Sequence, residues 1–181
     1  GFMQACAPAL DGAGATTSAI EASENATVGT EEITVAGNGG DEERIIAYES
    51  AVGEPNAALW VSGQWIVELN ITSANSNVTW SRCYICRVND SCVSQASVGS
   101  NESVGISCGS TGLKTAYVDG AQQAADRSDR IYVVLIFDVA GAGEQQFGFT
   151  PDAGLYTPPG FDVGVTISGA YVRGVKLGGL P

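Results

Sequence analysis

The sequence predicts an all-β protein, a two-sheet antiparallel β-sandwich of jelly-roll type with an extended N-terminal arm. Three observations carry this. Among 181 residues there are 24 glycines, and Val, Thr, Ser and Ala outweigh the Leu, Lys and Glu that build helices. In the strongest segments apolar residues recur at every second position, not at helical spacing. Turn signals rich in Gly, Asn, Asp and Pro recur roughly every ten residues, the rhythm of short strands folded back on one another. A chain of this length buries one substantial core, which divides it into an arm over 1–26 and one domain over 27–181.

The arm is Ala, Gly, Ser and Thr with scattered acids, and Phe2, Ala5, Leu10 and Ile20 follow neither strand nor helix period. It reads either as a disordered tail or as an extended arm that orders against a neighbouring subunit, with room for a short helix near Ser18 to Ser23. The chain opens on Gly1, so either a leader was removed or the chain begins inside a longer product.

From Thr27 the pattern becomes β. Val28, Ile33 and Val35 lead to the turn Gly37-Asn38-Gly39-Gly40-Asp41, and a second strand, Arg44 to Val52, closes at Gly53-Glu54-Pro55-Asn56. In Gln64 to Thr72, Trp65, Val67, Leu69 and Ile71 share one face, with Ile66 breaking the alternation. Val78 to Val88 turns at Asn89-Asp90-Ser91 and returns through Cys92 and Val93 as a hairpin. A polar stretch follows, then short strands at Ser103 to Cys108 and Leu113 to Val118 around Gly109-Ser110-Thr111-Gly112. Arg130 to Ala140 is the strongest strand, apolar on both faces: Ile131, Val133, Leu135, Phe137 and Val139 on one, Tyr132, Val134 and Ile136 on the other. Gln145 to Phe149 ends at the breaker Thr150-Pro151, and Phe161 to Val175 alternates again beyond Thr157-Pro158-Pro159-Gly160. The expected shared core is Trp65, Val67, Leu69, Ile131, Val133, Leu135 and Phe137.

Composition removes several functions. Twenty acidic residues against eight basic ones give a formal charge of -12, and a polyanion binder needs clustered Lys and Arg, so no nucleic-acid partner is expected. No apolar run reaches the roughly 18 residues of a membrane helix, so no membrane partner is expected either. The chain has no histidine, which excludes Ser-His and Cys-His nucleophilic pairs and His-ligated metals. The reading is therefore of a protein without enzymatic activity or cofactor.

Candidate sites are few. Cys83 and Cys86 form a C-x-x-C inside a strand, where residues three apart face opposite ways and cannot share a metal. Cys86 and Cys92 flank the Asn89 to Ser91 turn and are the disulfide candidate. Asp41, Glu42 and Glu43 form a weak calcium candidate, with further acids at Asp126 and Asp129, but none has the spacing of a calcium loop. Trp65 and Trp80 read as core, whereas Trp60 is free to serve a sugar-stacking platform. Asn-x-Ser/Thr triplets at Asn25, Asn70, Asn77, Asn89 and Asn101 arise easily in an Asn- and Ser-rich chain and carry no inference of glycosylation. The outward face Tyr132, Val134 and Ile136 is the assembly face, because each large aliphatic left in water forfeits about 1.5–3 kcal/mol.

Trp60-x-x-Gly63-x-Trp65, the hairpin residues Cys86-Arg87-Val88-Asn89, and Arg130 to Phe137 with Phe147-Gly148-Phe149-Thr150-Pro151 resemble β-sandwich proteins of phage virion surfaces. The resemblance spans roughly Thr27 to Pro158 and implies a head-decoration or cement-like subunit that self-associates and clamps neighbouring capsid or filament subunits; it carries no catalytic residues. The expected location is the virion or the extracellular space. The alternative is an extracellular carbohydrate-binding sandwich using Trp60 and a calcium loop near Asp41.

Overall fold

The computed structural model describes residues 20–23, 31–38, 42–49, 56–89 and 95–160. Among these every regular element is a strand: β1 (Ile20–Ser23), β2 (Glu31–Asn38), β3 (Glu42–Glu49), β4 (Leu59–Trp60), β5 (Gly63–Ser73), β6 (Val78–Val88), β7 (Gln95–Asn101), β8 (Ile106–Ser107), β9 (Gly112–Gly120), β10 (Gln123–Ala124), β11 (Arg130–Val139) and β12 (Ala142–Tyr156). The all-β class is as the period-2 pattern requires. The pairing differs from two separate layers, because the strands join into one ten-stranded sheet in the order β1-β3-β11-β6-β7-β9-β5-β12-β2, with β8 on β6 and a small second sheet of β4 and β10. All ladders are antiparallel except that of β1 with β3.

The sheet curls onto itself into a half-barrel. β11 and β12 lie far apart in strand order, yet the Phe137 ring sits 5.0 Å from Phe147 and 5.5 Å from Phe149, with Trp80 6.3 Å away on the other side. All seven expected core residues fall in the hydrophobic cluster this closure creates, together with Trp60, Trp80, Cys83, Ile85, Phe147 and Phe149. The strands there are β-branched and aromatic, the side chains that fit a pleated surface buried on one face.

The curl has a narrow waist. β9 pairs with β5 from Gly63↔Gly120 to Ile71↔Gly112, whereas on its other side it meets β7 only at Gly99↔Gly120. The backbones come so close there that a Cβ on Gly99 would lie against the Asp119 carbonyl, and one on Gly120 would lie 2.6 Å from Trp65 Nε1. Only glycine leaves that space. At the opposite end the Asn75, Asn77 and Gln145 side chains close the structure: Asn75 Nδ2 and Asn77 Nδ2 donate to Gln145 Oε1 at 3.2 and 3.0 Å, and Ala140 N donates to Asn77 O at 2.8 Å.

Several boundaries move. The polar stretch after the hairpin is strand β7, and the strand expected over Ser103 to Cys108 shortens to β8. Thr150-Pro151 does not end its strand: β12 runs through it, with the pairing to β5 jumping between Thr150↔Asn70 and Gly154↔Glu68. An irregularity is where a sheet tolerates proline, since no ladder N–H is required. Of the arm only Ile20–Ser23 is described, as a strand on β3 and not a helix; the stretch expected as a strand over Phe161 to Val175 lies outside the described residues.

Candidate functional site

β9 presents a face on which large apolar side chains are exposed. Alternate residues of a strand share a face, and Leu113, Thr115 and Tyr117 point away from the core while Ala116 and Val118 are buried within it. Leu113 is 58 % and Tyr117 45 % exposed; with Leu59 on β4 at 46 % they are the exposed large hydrophobics among the described residues. Nothing lies within 4 Å of the position a Cβ would take at Gly112, so that end of the strand faces open space.

Polar groups border this strip. Asn101 Nδ2 donates to the Tyr117 carbonyl at 2.9 Å, and Ser103 N donates to Asn101 Oδ1 at 3.0 Å. The neighbouring Glu102 is exposed and accepts a 2.5 Å hydrogen bond from Tyr84 Oη. Burial first, then the hydrogen bond and charge of Glu102, push the Tyr84 phenol up to about 12. Asp119 adds a second exposed carboxylate at the end of the strip.

The expected assembly face is differently placed. Val134 and Ile136 are 2 % and 0 % exposed, so the chain itself covers them and they offer no surface to a partner. They belong to a second buried layer with Ile45, Tyr84, Cys86 and Val88, on the side of β3, β11 and β6 away from the main core. The Tyr132 side chain lies outside the described residues. Alternation revealed a strand apolar on both faces but not what covers the second.

Cys83 packs in the main core and Cys86 on the opposite face, as strand alternation demands, and both are free thiols, as is Cys108. Burial pushes the Cys83 thiol far up, with Cys86 adding to it; burial raises Cys108 to about 11 against the Trp80 backbone and Lys114. Thiols held protonated are poor nucleophiles and ligands. Because Cys86 is free, the expected Cys86–Cys92 bridge is not formed; Cys92 itself lies outside the described residues.

Among the acids, Asp41 and the Glu42 side chain lie outside the description, and Glu43 is ion-paired with Arg82. Among the described residues no three His, Cys, Asp or Glu side chains converge as a metal site would require. Asp129 is 1 % exposed and structural: Arg87 Nη1 reaches its Oδ2 at 2.5 Å, Asp126 N donates to the same oxygen at 2.9 Å, and Arg87 Nε donates to Gln123 Oε1 at 2.9 Å. Sequence reasoning missed this clip, because it joins residues some forty positions apart. Trp60 cannot be a sugar platform: it is fully buried, its ring 5.9 Å from Trp65. No protein-family model matches the chain, and no curated protein matches it either.

Proposed function

We propose that this chain is a structural subunit of a virion surface, a decoration or cement-like protein that contacts its neighbours through the exposed face of β9. The observation that carries the reading is the division of its side chains. Trp60, Trp65, Trp80, Phe137, Phe147 and Phe149 fill the interior, Arg87, Asp129, Asn75 and Gln145 fasten the fold, and Leu113 and Tyr117 are left on one open strand face. The residues that carry the resemblance to phage surface proteins are framework residues: Trp60 packs at a tilt against Trp65, and Phe137 packs on Phe147 and Phe149. The curled sheet reads as a sandwich-like shell whose two halves are joined at Gly99↔Gly120.

The formal charge of -12 keeps free copies apart, a repulsion that eases only as salt screens it. The deciding experiment is density-gradient fractionation of virus particles from the native source, with an antibody to this chain. The expected result is banding with intact capsids, antibody on their outer surface in electron micrographs, and release by mild denaturant. A chain found wholly in the soluble fraction, absent from every particle band, overturns the reading.

A further inference from the structure

We propose that the edge of β9 from Leu113 to Tyr117 is a strand-docking site that takes an extended, lysine- or arginine-bearing segment of a neighbouring protein. The inference deepens the assembly reading and rests on it.

The backbone supplies the first argument. In a strand the N–H and C=O of one residue point to one side and those of the next to the other. Ala121 N donates to Val98 O at 2.9 Å and Tyr117 O accepts from Asn101, both on the β7 side. The odd-numbered residues of β9 therefore turn their backbone groups toward that side, and the even-numbered ones toward β5. β7 pairs with β9 only at Gly120, and β8 pairs with β6 instead. Among the described residues, the backbone of Leu113 and Thr115 has no strand partner on this side. An open edge of this kind is a template for another strand.

Side chains supply the second. An added strand would set its alternate residues beside Leu113 and Tyr117, whose exposed apolar surface is otherwise wasted on water. The third is charge. The flanking Glu102 and Asp119 are exposed carboxylates on a chain of net charge -12, so the occupant that gains most carries Lys or Arg between its apolar residues. A second copy of this chain would bring like charge to the same edge.

The test uses the full chain and a fluorescein-labelled ten-residue peptide alternating valine with lysine and threonine, its counterpart bearing glutamate for lysine, and fluorescence anisotropy at low and high salt. The lysine peptide is expected to bind at least about tenfold more tightly than the glutamate peptide, and to weaken as salt screens the attraction. Thr115→Pro removes an N–H that points away from β5, so it should leave the near-UV circular dichroism unchanged and weaken binding about tenfold or more. Tyr117→Ser, which removes apolar surface at an exposed site without adding charge, should weaken it similarly and serves if the proline variant fails to fold. Equal binding of the two peptides, or binding indifferent to both substitutions, overturns the proposal. A parent dimer that tightens with salt and is broken by Thr115→Pro also overturns it, naming a second copy as occupant. Because these are solution measurements, failure here with the chain still banding on particles removes the docking site and spares the assembly reading; the reverse pattern removes the assembly reading.

Discussion

Gly120→Ala tests how tightly the waist of the sheet is built. A Cβ at this position would stand 2.6 Å from Trp65 Nε1, 2.8 Å from Trp65 Cδ1 and 3.2 Å from Val98 Cγ1. Ordinary contact begins near about 3.5 Å, so the indole must retreat by roughly 0.9 Å (3.5 minus 2.6). Trp65 has little room to do so, being fully buried against Trp60. Overpacking of this kind costs about 1–3 kcal/mol, and the loss of glycine freedom in the unfolded chain returns about 0.4–1 kcal/mol. The net expectation is a destabilisation of about 1–2 kcal/mol. With a urea slope of about 2 kcal/mol/M, the midpoint should fall by about 0.5–1 M. Trp65→Phe in the same background removes the clashing edge, so the pair should be more stable than the sum of the single changes by roughly 1 kcal/mol. A midpoint unchanged within about 0.1 M, or strict additivity of the two substitutions, would refute the argument that this indole forbids a side chain at Gly120.

Three further outcomes are expected. Phe137→Ala empties the centre of the Trp80, Phe147 and Phe149 cluster and should cost about 3–5 kcal/mol by urea unfolding; a cost below about 1 kcal/mol would mean the two halves do not pack through it. Arg87→Ala strands the buried Asp129 carboxylate and should cost roughly 3 kcal/mol or more, whereas Asp129→Asn in the Arg87→Ala background should recover part of it; no recovery would show that charge is not the cause. Burial, with Asp138 adding and Arg82 opposing, raises the Glu43 carboxyl above its ordinary 4.5. A raised carboxyl gives stability that is complete below the unfolded value and is lost as pH rises through the folded one. Glu43→Gln keeps the neutral form throughout, so its stability relative to the parent should rise as the pH climbs above the ordinary 4.5; parallel pH curves for the two proteins would contradict this.

Much of the architecture was legible because it is local. Trp65, Val67, Leu69 and Ile71 recur at every second position, so their shared inward face follows from period even with Ile66 between them, and Val78–Val88 has the bounds the sequence implies. What was hidden depends on partners distant in the chain. Ser81 and Val98 are extra residues that shift the registers of β6 with β11 and of β7 with β6, so the faces of those strands change partway along. Pro151 reads as a stop because the irregularity that accommodates it exists only against β5. Val134 and Ile136 carried the right signal, a second apolar face, and the wrong consequence, since a period says which side is apolar and not who covers it. The contact strip was harder still: Leu113 and Tyr117 look like any strand residues until β7 and β8 are seen to leave the edge beside them open.

A sheet fastened at both extremities and unlaced between them has a particular way of breathing. The glycine pair at one end and the asparagine–glutamine bonds at the other must both give way before the halves separate, whereas mid-β9 can loosen with neither disturbed. The Leu113 and Thr115 amide protons, which face the side without a strand partner, should therefore exchange with solvent readily, while the Ala121 proton held by Val98 waits for a far rarer event. The chain can thus offer a ready, low-cost opening in mid-sheet without risking its globule.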